Sequence, residues 1–124
     1  MEKTKKILAV DDDLAILDVL RLILENSGYE VVTLSHADAV FETVEIEQPD
    51  LILMDVMLAG LDGKTICQNL KKYSRTKNIP VIMISASHDL RAQLSRSGAP
   101  DDFIAKPFDL DVLVQKVEQH LPAA

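Results

Sequence analysis

Four short apolar runs in this chain of 124 residues each stop on a residue able to do chemistry. Ile7-Leu8-Ala9-Val10 ends on Asp11-Asp12-Asp13, and Leu51-Ile52-Leu53-Met54 ends on Asp55. Val81-Ile82-Met83-Ile84 ends on Ser85, and Phe103-Ile104-Ala105 ends on Lys106, with Pro107 next. A parallel strand buried on both faces reads as a near-continuous apolar run, and open α/β sheets carry their sites beyond the carboxyl ends of such strands. If these runs are neighbours in one sheet, their carboxylates converge, and like charges that close need a proton or a cation to neutralise them. The set suits a phosphoryl group. A carboxylate can attack phosphorus to give an acyl phosphate, and Mg²⁺ on the other carboxylates would neutralise the transferring oxygens. An ammonium and a hydroxyl would hold what remains. His36, His88 and His120 sit in helical or loop contexts without metal-ligand spacing and read as ordinary surface residues.

The elements that must position these groups alternate along the chain. Strands are expected at 6–10, 30–34, 51–54, 81–84 and 103–105. Between them run helical patterns: Leu14, Leu17, Leu20 and Leu24 up to a stop at Ser27-Gly28, then Ala37, Val40, Phe41 and Val44 after a Ser35 cap. Ile66, Leu70 and Tyr73 follow Asp62-Gly63, and a short helix is expected from Ser87 or His88 to about Arg96. Asp109 caps a last helix with Leu110, Leu113, Val114, Val117 and Leu121. Short βαβ connections demand parallel strands with right-handed crossovers, and five units are too few for an eight-stranded barrel. The expected fold is α/β, an open doubly wound (βα)5 sheet, as one domain over residues 1–124 without an output domain.

Composition narrows the function. The chain carries a net charge of −7 and only 4% aromatic residues, which argues against direct nucleic-acid contact or an anionic membrane surface. No apolar run approaches a membrane span or a signal-peptide core. Cys67 is the sole cysteine, so a reducing, cytoplasmic setting is expected, with Cys67 as a small helical core residue. Lys71, Lys72, Arg75 and Lys77 read as a solvated basic face.

Val10-Asp11-Asp12, Asp55, Asp62-Gly63 seven and eight positions later, Ile79-Pro80-Val81, Ser85-Ala86, Gly98-Ala99 and Lys106-Pro107-Phe108 form an ordered set. On it the chain resembles the receiver domain of two-component response regulators over essentially its whole length. The resemblance implies a flavodoxin-like sheet of order 2-1-3-4-5 and Asp55 as phosphoacceptor for a histidine kinase or phosphotransfer protein. It implies Mg²⁺ held by Asp11, Asp12, Asp55 and the Met57 backbone carbonyl. Ser85 would follow the phosphoryl group, Lys106 would contact it, Phe103 would be the switch aromatic, and Lys106–Pro107 would be a cis bond. The output would be contact with a downstream protein, with homodimerisation left open, and no turnover of an external substrate.

Two departures carry expectations. Ala59 stands where the family usually has proline, and Met57 places a bulky apolar side chain beside the site, which would slow loss of phosphate by obstructing water. The 13 positions from Ser85 to Gly98 are short for the family, so the intervening helix or loop is expected to be trimmed by about half a turn. Two rivals differ in class. An aspartyl-phosphate phosphatase or phosphotransferase would want Gly-Thr where Leu14-Ala15 follows the Asp-x-Asp, and a degenerate binding module would not need the intact Asp/Ser/Lys set.

Overall fold

A computed structural model describes residues 4–58, 61–85 and 99–121. The five apolar runs form one parallel sheet: β1 Lys6–Val10, β2 Glu30–Leu34, β3 Leu51–Asp55, β4 Val81–Ser85 and β5 Asp102–Ala105. Its order is β2-β1-β3-β4-β5, as the resemblance implied. The described helices are α1 Leu14–Asn26, α2 Val40–Glu47, α3 Gly63–Lys72 and α4 Leu110–His120. The helix expected near 87–96 lies outside the described residues, as do Ala59 and the side chain of Met57.

The alternation of side chains across the sheet explains why the central strands read as unbroken apolar runs. Leu8, Val10, Ile52, Met54, Val81 and Met83 face one way and pack with Val40 and Val44 of α2 and Ile66, Cys67 and Leu70 of α3. Ile7, Ala9, Leu51, Leu53, Ile82 and Ile84 face the other way, against Leu17, Leu20 and Leu24 of α1 and Leu113 and Val117 of α4. Each fully buried Leu or Ile contributes about 1.5–3 kcal/mol over its exposed state, so two filled faces hold β1, β3 and β4 in a fixed register.

Several expectations at the element ends change. Leu14 and Leu110 begin α1 and α4 but are 66% and 53% exposed, and the buried stripes of the two helices start further in, at Leu17 and Leu113. Tyr73 is the residue after α3 and is exposed, its ring 6.4 Å from that of Phe41 in an edge-on pair. Ser35 caps no helix. Ala37–Ala39 form a single 3₁₀ turn after His36, without a side-chain cap, and α2 starts only at Val40. A two-residue antiparallel pair, Met57–Leu58 with Leu61–Asp62, was not expected. It folds the chain after β3 back toward α3.

Candidate phosphoryl and metal site

Sheet order brings the chemistry together. Val10 and Met54 are partners in neighbouring strands, so Asp11 and Asp55 stand side by side at the ends of β1 and β3. Both are buried, Asp11 at 1% exposure and Asp55 at 7%. Lys106 leaves β5, two strands from β3, and its Nζ donates to Asp55 Oδ2 at 2.7 Å and to Asp11 Oδ2 at 3.3 Å.

The three consecutive aspartates divide the work. Asp13 is the N-cap of α1, its Oδ1 accepting the Ala15 N–H at 2.9 Å and the Ile16 N–H at 3.4 Å. Its own N–H donates to Asp11 Oδ1 at 2.9 Å, so the cap also steadies the buried carboxylate. Asp12 is exposed. Burial pushes the Asp11 carboxyl above the ordinary carboxylate value and the Asp55 charge adds to it, against the Asp13 N–H and Lys106. For Lys106, burial works to lower the ammonium pKa, but the Asp55 hydrogen bond and the Asp11 charge outweigh it and the net direction is up. Burial thus dominates the shift of Asp11, and the carboxylate partners dominate that of Lys106.

This acidic cluster fits a hard dication. Asp11, Asp12 and Asp55 each offer a carboxylate oxygen within 4.8 Å of the others. Among the described residues, these three carboxylates face the single ammonium of Lys106, so acidic groups are in excess. The donors are all oxygen, which suits Mg²⁺ rather than a thiolate- or imidazole-seeking metal, and exposed Asp12 leaves an open side for water ligands. Met57 lies two residues past Asp55, in the antiparallel pair with Asp62.

Ser85 ends β4 one step beyond Ile84, the partner of Asp55, and is 3% exposed. Its carbonyl accepts the Lys106 N–H at 2.8 Å, and the Lys106–Pro107 bond is cis. Phe103 pairs with Met83 in β5 and is half-buried.

Gly63 is where the residues alone were least informative. Asp62 caps α3 by accepting the Lys64 N–H at 2.9 Å, and Gly63 donates to the Val56 carbonyl at 2.8 Å. A Cβ on Gly63 would collide with the Asp55 carbonyl oxygen and stand 3.1 Å from Val56 Cα. The glycine therefore lets α3 begin directly against the backbone of Asp55. An Asp-Gly step reads only as a turn until its neighbour is known. The other addition is Asp102, which gathers Lys116 Nζ at 2.9 Å and His120 Nε2 at 2.9 Å; His120 is thus a half-buried carboxylate partner, not an isolated surface residue. Of the basic face, Lys71 is held by Asp101 at 2.7 Å and by the Ile79 carbonyl at 2.9 Å, and Arg75 by Glu45 at 3.3 Å.

Known proteins match this frame. Residues 7–118 fit the model of the response regulator receiver domain. The DNA-binding dual master transcriptional regulator RpaA of Synechocystis is 39% identical over 116 residues, which is 90% of this chain and 47% of that protein. The signal receiver domain of a signal transduction histidine kinase from Syntrophus aciditrophicus superposes with a TM-score of 0.86 at 32% identity, covering 95% of this chain and 90% of that one. The response regulator TrrA of Thermotoga maritima, solved in complex with Mg²⁺-BeF, gives 0.84 at 29% identity, covering 95% and 100%. The chain spans about half the length of the curated relatives it matches. With the sheet order, the acidic pocket and the lysine all in place, the chain belongs to the response regulator receiver domain family.

Proposed function

We propose that Asp55 accepts the phosphoryl group, that Asp11, Asp12, Asp55 and the Met57 carbonyl hold Mg²⁺, and that Ser85, Lys106 and Phe103 respond to the new charge. Response regulators receive phosphate from histidine kinases and act on downstream targets. The donor here is accordingly a phosphohistidine on such a kinase or a phosphotransfer protein. The observation that carries the reading is Lys106, whose ammonium spans Asp55 and Asp11 from a third strand end. A lysine so placed can exchange a carboxylate oxygen for a phosphoryl oxygen with little movement.

In the transfer, an Asp55 carboxylate oxygen attacks phosphorus and the P–N bond to the donor imidazole breaks. The electron pair goes to the imidazole nitrogen, which takes a proton from solvent. Mg²⁺, when bound by the three carboxylates, neutralises charge on the phosphoryl oxygens. Lys106 holds the attacking carboxylate in place at 2.7 Å. Water later attacks phosphorus, the P–O bond to Asp55 breaks, and the aspartate and inorganic phosphate are restored. The acyl phosphate adds about −1.5 to −2 of charge and biases an existing two-state equilibrium toward the form a partner recognises. The unpaired Cys67 supports a reducing, cytoplasmic setting. No helix among the described residues is long and apolar enough to cross a membrane.

The test is intact mass after acetyl phosphate and Mg²⁺. A gain of one phosphoryl group is expected in the native chain and none in Asp55→Asn; equal labelling of both would assign the acceptor elsewhere.

A further inference from the structure

We propose that Lys116 is a positioning residue for Phe103: anchored on Asp102, its ammonium caps the ring and biases it toward the arrangement seen here. The inference rests on the reading that Phe103 responds to the phosphoryl site, and adds the element that sets its resting state.

The geometry follows from where β5 lies. It is an edge strand of the sheet, paired among the described residues with β4 alone. Successive side chains along it point to opposite faces. Ile104 joins the core that includes α1 and α4, whereas Phe103 packs against the opposite core, on the other face of the sheet. Lys116 belongs to α4 and so starts on the Ile104 face. Its Nζ reaches the Asp102 carboxylate at 2.9 Å and stands 5.9 Å from the centroid of the Phe103 ring. It therefore straddles the sheet edge. Asp102 is itself fixed by His120 at 2.9 Å and by the Phe103 N–H at 2.8 Å, so the anchor and the ring share one short segment of backbone.

A cation over an aromatic face stabilises that placement of the ring. If the ring must move when the site is phosphorylated, leaving Lys116 is part of the cost, and removing the ammonium raises the population of the competent state. Apparent affinity for an activating ligand follows that population. Truncation to Met keeps the aliphatic stem and removes only the charge. Arg keeps the charge and also stacks well on a ring.

The test uses the full chain with fluorophenylalanine at its three phenylalanine positions, read by ¹⁹F NMR with and without Mg²⁺ and beryllofluoride. Phe103→Leu identifies the resonance. In Lys116→Met, the unloaded Phe103 signal is expected part-way toward its loaded position. Beryllofluoride affinity should rise about two- to five-fold, the weight of one exposed cation–π contact. Asp102→Asn should move both readouts in the same direction, and Lys116→Arg should match the native chain. A Phe103 signal that moves on loading but is indifferent to Lys116→Met overturns the clamp and leaves the switch standing. A signal that does not move on loading overturns the switch, and the clamp with it.

Discussion

Lys106 Nζ lies 2.7 Å from Asp55 Oδ2, tying the end of the outer strand β5 to the end of the central strand β3. The same ammonium reaches Asp11 at 3.3 Å, so one cation restrains two buried carboxylates. Lys106→Met should therefore destabilise the metal-free protein by about 1–3 kcal/mol, the usual cost of removing a charged hydrogen-bond donor from buried carboxylates. Mg²⁺ should recover more of that loss than it adds to the native chain, because the remaining carboxylates are more negative. Denaturant unfolding with and without Mg²⁺ reads both effects; equal Mg²⁺ stabilisation of the two proteins would contradict the charge argument.

Asp11 makes the opposite case. Its carboxyl is pushed up by burial and by Asp55, so its charged form opposes folding at neutral pH. Asp11→Asn should stabilise the metal-free domain by on the order of 1 kcal/mol while abolishing stabilisation by Mg²⁺. Thermal melts across a Mg²⁺ titration decide this: a variant that still gains from the metal would remove Asp11 from the ligand set.

Gly63→Ala places a methyl group against the Asp55 carbonyl oxygen and Val56 Cα, both backbone atoms that cannot swing aside. A loss of about 1–3 kcal/mol is expected from this overpacking, together with slower acetyl phosphate labelling as Asp55 is displaced. A Gly63→Ala protein of native stability and labelling rate would show that α3 can shift freely.

Burial works to raise the Asp102 carboxyl, but hydrogen bonds from Lys116, His120 and the Phe103 N–H outweigh it and leave it below the ordinary carboxylate value. A carboxyl depressed in the folded state adds stability above its unfolded pKa of about 3.9, and loses it as pH falls through the folded value. Asp102→Asn should thus be less stable than the native chain at pH 7, with the gap closing in acid. Chemical denaturation at several pH values gives the curve; a gap that widens in acid would reverse the assignment.

Cys67 is fully buried in α3, and burial pushes its thiol up to about 11. At neutral pH the native protein should leave it unmodified by a thiol-specific disulfide reagent for hours, while the unfolded chain reacts at once. Comparable rates in both states would place Cys67 at an opening in the core.

The five strands were legible because burial on two faces demands uninterrupted apolar residues, and their carboxyl ends marked Asp11, Asp55, Ser85 and Lys106. Less was legible where a residue's neighbour is distant in the chain. Leu14 matched the apolar stripe of α1 yet faces solvent, since period alone does not say where a helix leaves the sheet. Gly63 looked like a turn residue until its contact with the Asp55 carbonyl appeared. Lys116 and His120 carry no motif, and their shared partner, Asp102, is 14 and 18 positions away.

Which groups exist, and that they end strands, can be read along the chain, because hydrophobic periodicity is a local property. The helix cap at Asp13 belongs to that local reading, whereas the fold assigns Asp11 and Asp55 to Lys106, Asp12 to solvent, and Lys116 to the edge of β5. Those choices depend on sheet order and register, which join residues as far apart as Asp11 and Lys106, and no local pattern encodes a distance across the sheet.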